Sequence, residues 1–394
     1  MPTNRPRCPI CTSTMNKNGS TTAGTTRWRC TTCGASETKK RPDITHTATF
    51  TTFLDYLTTT HTLKHLATSK NTSTRTLQRR FRNYWLITPP NPTAAHTGRI
   101  YDQIFIDGTY LSGNCLLIAT SLDHVLSWHW CKTETAHAYQ QLFTGICPPL
   151  IVTTDGGSGA RKAIHNTWPT ARIQRCLIHV QRNLRTATTR RPKTPAGKAL
   201  YELSKTLTRI TNGDQAAHWI SQLQHFHTIY GHWIDETTWT TDPLTRKTTK
   251  TYTHQRIRTA YKSLEKLYKH NVLFTYLDPP QTTLQPERLK STTNTLEGGI
   301  NAEVKRLANA HRGLTLEHQR RMIDWWLYLK TQLPDDPLEI ARQCNFGQDQ
   351  LAKVTDLVPE DLNKADQQTG RPAFYDQGID VEYTHSIGIR KGQI

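Results

Sequence analysis

The sequence predicts an α/β fold, and three observations predict it. Three consecutive β-like runs, IYDQIFIDGTYL, NCLLIATSLD and VLSWHWCKTET, are separated only by turn-like segments around Ser112-Gly113 and Asp123-His124. A helix-like AHAYQQLF, the apolar strand PLIVTT and a helix with Ala160, Ala163, Ile164 and Trp168 on one face follow in that order. Three acidic residues punctuate the pattern: Asp107 and Asp155 close β-like runs, and Glu297 opens a helix-like one.

Length and charge bound what such a chain does. Its 394 residues exceed one small domain and suggest roughly two to four units. Lys and Arg number 50 against 31 Asp and Glu, and the formal charge of +19 favours a polyanionic partner in a salt-sensitive interaction. Ribosomal and other RNA-binding proteins share that signature, so charge alone says nucleic acid. MPTNRPRCPIC lacks the apolar stretch of a secretory signal, and no later run is long and apolar enough to cross a bilayer. The expectation is a soluble intracellular protein with no membrane partner.

The first element, residues 1–42, is predicted to be a zinc ribbon. Cys8, Cys11, Cys30 and Cys33 give C-x2-C, eighteen intervening residues and C-x2-C, with Gly19, Gly24 and Gly34 available for tight turns. That spacing suits a tetrahedral thiolate Zn2+ site, the metal replacing a core that so short a segment cannot build. Nine cysteines, an odd number with four in two close pairs, suit metal binding better than a disulfide framework.

Residues 43–92 read as a helix-turn-helix DNA-binding domain. Leu63, Leu66 and Ala67 mark one apolar face, a polar turn follows, and Leu77, Phe81 and Tyr84 mark the next at i, i+4, i+7. Arg75, Arg79 and Arg82 fall on the opposite side of that second helix, as on a helix that enters a major groove, although a solvated basic face is the bland alternative. Pro89, Pro90 and Pro92 end the unit as a linker.

The strand and helix order from residue 99 to residue 185 is that of the first part of a ribonuclease-H-like core. Residues 186–284 abandon the alternation: Trp219, Leu223, Phe226, Tyr230 and Trp233 recur at helical spacing, which predicts a helical insertion. Residues 285–330 return with the helix that opens at Glu297 and a further helix, LEHQRRMIDWWLYL. Residues 331–394 are polar, weakly patterned and without an assigned role.

The acidic residues point to phosphodiester chemistry. Cleavage needs an activated water or hydroxyl and positive charge on the non-bridging oxygens, which two Mg2+ ions roughly 3.5–4 Å apart supply from hard carboxylate ligands. Asp107 lies among apolar neighbours, where an ionised carboxylate is costly unless paired or metal-bound. Asp155 meets the Gly156-Gly157 turn. If TLEGGINAEVKRLANA is helical, Leu296, Ile300, Val304 and Leu307 form an apolar stripe, while Asn294, Glu297, Asn301 and Lys305 share a polar one. Glu303 falls outside that polar stripe, so Glu297 is the candidate. The Gly298-Gly299 pair costs helix propensity and suggests close backbone approach to the core or to DNA. Taken singly, each acid reads as a cap, a turn or a surface charge.

Together these residues resemble a DDE transposase of the Mutator-like superfamily, of the bacterial insertion-sequence type. The resemblance rests on Asp-Gly-Thr-Tyr at Asp107, Asp-Gly-Gly at Asp155, the run QRCLIHVQRN, and Asn294-x-x-Glu297 leading to Asn301-x3-Lys305-Arg306. It covers residues 99–330 best. It implies a ribonuclease-H-like core interrupted by a helical insertion, with Asp107, Asp155 and Glu297 holding catalytic Mg2+ or Mn2+. It also implies cleavage at terminal inverted repeats and attack of the freed 3′-hydroxyl on target DNA, by a homo-oligomer on paired ends in a prokaryotic, nucleoid-associated cytoplasmic setting. Cys176 and His179 match the family's Cys-x2-His signature; zinc binding, DNA contact and support of the active site are all open to them, and support is the preferred role. Arg175, Arg182 and Arg185 beside them, like Lys305, are candidate phosphate contacts. Two competing readings are a catalytically silent DNA-binding regulator and a structured-RNA nuclease.

Overall fold

The computed structural model describes residues 5–8, 11–38, 42–92, 98–241 and 243–355. Residues 356–394 of the predicted polar C-terminal region lie outside them, as do parts of the first forty-two residues. Two compact units divide the chain: one gathers the described parts of Met1–Leu54, Ser73–Ile87 and Leu338–Ile394, and the other Asp55–Thr72 and Thr88–Pro337.

The first unit begins with three antiparallel strands, β1 (Met15–Ser20), β2 (Thr26–Cys30) and β3 (Ser36–Thr38), in that spatial order. Among the described residues their apolar cluster is Cys8, Met15, Trp28 and Cys30, with Cys11 and Ala35 against it. Helix α1 (Pro42–Thr58) leads from the first unit into the second, where α2 (Leu63–Ser69) lies, and α3 (Thr74–Phe81) returns to the first. Both short helices are capped at their starts, with Thr62 Oγ1 accepting from His65 N–H at 3.2 Å and Ser73 Oγ from Thr76 N–H at 3.1 Å. In the first unit Leu77, Phe81 and Tyr84 are buried, and Phe50 packs edge-on against Tyr84 at 5.4 Å, while Arg75, Arg79 and Arg82 are exposed.

The second unit is built on a five-stranded mixed sheet with flanking helices. Strands β4 (Gln103–Leu111), β5 (Asn114–Thr120) and β6 (Val125–Cys131) form the antiparallel meander that their turn signals predict. Ser112 and Gly113 connect β4 to β5 with both φ values positive, 48° and 79°, as a two-residue primed turn requires. Helix α4 (Ala136–Phe143) then leads to β7 (Ile151–Thr154), and α5 (Ser158–Thr167) to β8 (Arg172–Arg175), each new strand parallel to its neighbour. The order across the sheet is β6-β5-β4-β7-β8. Ile104 and Ile106 alternate onto one face, where Tyr139, Leu142, Ala160, Ile164 and Trp168 close the core, with Phe143 stacked on Trp168 at 4.0 Å. Gln103 and Asp107 take the other face, Gln103 bonding Thr153 at 2.7 Å and the Lys290 backbone.

Helices α6 (Leu177–Thr188), α7 (Pro195–Leu207), α8 (Gly213–Ile234) and α9 (Gln255–Lys269) have an apolar cluster of their own, containing Leu184, Leu200, Trp219, Leu223, Phe226 and Leu264. The predicted insertion is therefore largely helical, but not wholly. Between α8 and α9 stands an antiparallel hairpin, β9 (Thr237–Thr241) and β10 (Thr248–Tyr252), exposed along its length. Its runs TTWTT and TTKTY are β-branched but carry no apolar alternation, because neither face is buried; a pattern based on burial passes over them. After the insertion come α10 (Ala302–Ala310) and α11 (Leu316–Tyr328). Asp324 of α11 receives the indole N–H groups of Trp128 and Trp130, at 2.9 and 2.8 Å, tying this helix to β6. No helix among the described residues is long and apolar enough to cross a membrane.

Candidate active site

The sheet register places two of the candidate carboxylates side by side. Ile106 of β4 pairs with Thr154 of β7, so the next residues stand at one level: Asp107 inside β4, which runs on to Leu111 rather than ending there as the sequence suggests, and Asp155 just past the end of β7. Asp155 Oδ1 accepts from Gly157 N–H at 2.9 Å and from the Thr154 hydroxyl at 3.2 Å, shaping the turn in which Gly156 takes a φ of +89°. Part of the bland reading of Asp155 as a turn residue is thus true. One oxygen holds the turn that aims the other.

Glu297 arrives from a different kind of helix than its sequence predicts. Thr295–Asn301 is π-helical and passes into α10, so Glu297 and Asn301 are presented by a widened turn. Leu296, Val304 and Leu307 of the predicted stripe are buried but Ile300, inside the π-helical turn, is only half-buried, and Asn301 of the polar stripe is buried with Nδ2 donating to Asp107 Oδ2 at 2.8 Å. Asn294 and Lys305 are exposed. The glycine pair does not press on the core: a Cβ on Gly299 would meet open space, and one on Gly298 only the Asn294 side chain. Close approach instead occurs at Gly108, where a Cβ would fall 2.7 Å from the Glu134 carboxylate. Tyr139 in turn donates to Glu134 Oε2 at 2.7 Å, so Glu134 supports the strand behind Asp107.

Glu297 is held from three sides. The Thr293 hydroxyl donates to Oε1 at 2.6 Å, Arg182 lies 3.0 Å from Oε2, and His179 Nδ1 stands 3.4 Å from Oε1. Thr293 is the residue the sequence reading missed; its signal was position, four residues before Glu297 where a helical turn brings i and i+4 together. Cys176, at the start of α6, receives the Thr293 backbone N–H at 3.3 Å. Burial pushes the Cys176 thiol up, but hydrogen bonds from His179 and Thr293 outweigh it and hold the thiol below its ordinary value. The same contact with Cys176 raises His179.

Burial, then the Glu297 and Asp155 carboxylates, push Asp107 up to about 7. Mutual repulsion of this kind at one sheet edge is what a bound cation would relieve. Asn301 Oδ1, buried beside Asp107, has no hydrogen-bond partner among the described residues, which adds an unsatisfied oxygen to the same place. The three oxygen donors and this orphan fit a hard divalent cation such as Mg2+. Cys176, His179 and Glu297 also bring ligand atoms within 4.8 Å of one another. That sulfur, nitrogen and oxygen set would suit zinc better than magnesium, but the Thr293 backbone N–H already bonds its sulfur, the Thr293 hydroxyl one carboxylate oxygen and Arg182 the other.

A separate cluster, Cys8, Cys11, Cys30 and Cys33, lies in the first unit. Its Sγ atoms are 3.5 Å apart for Cys8 and Cys33, 3.4 Å for Cys11 and Cys30, and 3.5 Å for Cys11 and Cys33. A zinc tetrahedron with Zn–S bonds of about 2.3 Å has edges of about 3.8 Å, so the thiols fit the ion. Hydrogen bonds from the Ser13 side chain and backbone pull the Cys11 thiol down to about 6, towards the thiolate that zinc takes.

The remaining basic candidates divide. Arg75, Arg79, Arg82 and Lys305 are exposed, and Arg182 is exposed while paired to Glu297. Arg175 is buried against Gly156, where a glycine Cβ would overlap its guanidinium. Any anion that meets Arg175 must come to it through the interior.

Comparison with known proteins bears on the same stretch. Residues 107–218 match the family model described as transposase, Mutator family, a span that includes Asp107, Asp155, Cys176 and His179 and ends before Glu297. A relative, the transposase for insertion sequence element IS905 of Lactococcus lactis subsp. lactis (strain IL1403), is 30% identical over 143 residues. That alignment covers 32% of this chain and 35% of the relative, about a third of its length. Within this α/β sheet, with its two neighbouring aspartates and its Cys-x2-His helix, the chain carries a transposase domain of the Mutator family.

Proposed function

We propose that the protein is the transposase of an insertion sequence: it binds terminal inverted repeats, cleaves DNA strands with bound Mg2+ or Mn2+, and joins the freed 3′-hydroxyl to target DNA. One observation carries the reading. Asp107 and Asp155 stand level on adjacent parallel strands, and Glu297 returns after the insertion close enough to raise the proton affinity of Asp107. Strand order β6-β5-β4-β7-β8, antiparallel then parallel, supports a ribonuclease-H-like core, split at the insertion into residues 99–185 and 285–330.

In this reading the three carboxylates hold the divalent ions, which supply charge for the non-bridging oxygens and lower the proton affinity of the attacking water or hydroxyl. Asn301 orients Asp107, while Thr293, His179 and Arg182 orient Glu297. Cys176 positions Thr293 and His179. The exposed face of α3, with Arg75, Arg79 and Arg82, serves as the recognition helix of a helix-turn-helix, next to a zinc ribbon in residues 1–42. A second reading, a DNA-binding regulator, draws on the Arg182 to Glu297 ion pair, which occupies an oxygen a metal would use.

Glu297→Ala separates the two. With DNA carrying the element's inverted repeats, the unmodified protein should nick at the repeat boundary in Mg2+ or Mn2+, and the variant should bind the same ends but nick roughly a thousandfold less. Binding without nicking by either protein would favour the regulator.

Metal binding also carries a pH signature. Asp107 titrates at about 7 in the metal-free fold against the ordinary 3.8, so between those values the folded chain holds more protons than the unfolded one. Metal-free stability therefore falls as pH rises through that window, by up to about 4 kcal/mol, and the loss is complete above it. Mg2+ replaces the proton, so its stabilisation should be larger at about pH 8 than at about pH 5.5. Thermal unfolding with and without Mg2+ reads this directly; equal shifts at the two pH values would argue against Mg2+ at Asp107.

A further inference from the structure

Behind the Asp155 turn lies a cavity of about 590 Å³, walled by α5, α6, α9 and the end of β8. Its inner wall is apolar, with Val180, Leu264 and Val272. Asn183, Gln255 and Ser263 add hydrogen-bonding groups, and Arg161, Lys266 and Arg175 make it cationic. Arg175 is the informative one. It is 8% exposed, and its Nε and Nη1 have no hydrogen-bond partner among the described residues. A buried guanidinium with two idle donors is expensive unless an anion reaches it. It lies against Gly156, so an anion bound there is next to Asp155.

We infer that this cavity takes a single unpaired nucleotide of the DNA substrate, its phosphate on Arg175 and its base in the apolar interior. The volume is in the range that holds a small molecule, roughly 300–1,000 Å³, and is far too small for a duplex whose major groove alone is about 12 Å wide. A nucleotide taken out of the stack fits both the volume and the charge. Apolar wall and polar side chains together match a base, which has a flat apolar face and a hydrogen-bonding edge. The inference rests on the transposase reading for the presence of DNA, and extends it by naming where a strand leaves the duplex beside the reacting phosphate.

The test uses the full chain and two probes: a duplex of about 30 base pairs with one unpaired 2-aminopurine nucleotide, and the same duplex fully paired. The unmodified protein should prefer the first by about tenfold. No Phe, Tyr or Trp is among the described residues lining the cavity, and His270 is the one ring there, so the unstacked 2-aminopurine should also brighten on binding. Ser263→Trp, at an exposed position on α9, fills the cavity and should remove the preference while leaving affinity for the paired duplex within about twofold. Arg175→Gln should also remove the preference for the unpaired nucleotide; should the loss of a buried cation disturb folding, Ser263→Trp decides alone. Equal affinity of the unmodified protein for both probes, or a preference that survives Ser263→Trp, overturns the inference and leaves the transposase reading standing. Failure to bind either probe at low salt overturns both.

Discussion

Asp155→Asn should reduce strand cleavage by roughly a thousandfold or more while leaving affinity for the element's ends within a few-fold. The substitution preserves shape: an asparagine Oδ1 can still accept from Gly157 N–H and Thr154, so the turn into α5 survives. What it removes is one negative charge beside Asp107. Metal affinity falls for that reason, and a hard cation gains little from the neutral amide that replaces a carboxylate. Asp107 should also shift back towards its ordinary range, since Asp155 is one of the groups that raise it. The buried Arg175 loses a nearby opposite charge, a modest cost in stability. Cleavage assays in Mg2+ and Mn2+, run beside end-binding titrations on the same preparation, give the comparison. A parallel loss of binding and cleavage would mean that Asp155 acts on the fold or on DNA contact, and would sink the metal-ligand role.

Much of this arrangement was legible in the sequence, because burial writes itself into periodicity. Ile104 and Ile106 alternate with Phe105 and Asp107, and Ala160, Ala163, Ile164 and Trp168 share a helix face, so β4 and α5 follow from spacing alone. Asp107 and Asp155 stand out because a carboxylate within or directly after an apolar strand lacks an ordinary reason to be there. The misses have the opposite cause. The β9–β10 hairpin buries neither face, so TTWTT and TTKTY carry no pattern of burial. The π-helical turn at Thr295–Asn301 depends on one extra residue in a turn, which spacing over so short a stretch does not resolve. Thr293 touches Glu297 four residues on, but its bond to Cys176 and the Glu134 contact with Gly108 join residues far apart in sequence, and Arg175, whose composition reads as a surface cation, takes its place on an interior wall. Charge counts cannot tell a buried arginine from an exposed one.

Zinc removal should unfold the β1–β3 module and leave the five-stranded sheet intact. The apolar cluster among the described residues of 5–38 is Cys8, Met15, Trp28 and Cys30 with Cys11 and Ala35 against it, far short of what offsets roughly 1–2 kcal/mol of backbone entropy per ordered residue. A structural zinc site contributes about 10–16 kcal/mol, enough to make such a module fold only with its ion. Without the ion, the buried Cys8 and Cys30 lose the charge that their thiolates would share with zinc, and the backbone bonds from Thr12 N–H to Cys8 and from Gly34 N–H to Cys30 lose the ligands that anchor them. The β4–β8 sheet has an independent core in Ile104, Leu117, Val152 and Trp168, in the other compact unit, and takes nothing from the metal. Amide exchange followed segment by segment on the full chain distinguishes the two. A chelator, or Cys30→Ser without one, should bring Met15–Cys30 to the exchange rate of an unfolded peptide while Gln103–Thr120 keeps its protection. Unchanged protection across Met15–Cys30 after verified metal removal would show that the strands stand on their own and that the four cysteines are not a structural zinc site. Simultaneous loss of protection in β4 and β5 would show instead that the module's fold and the sheet's are one cooperative unit.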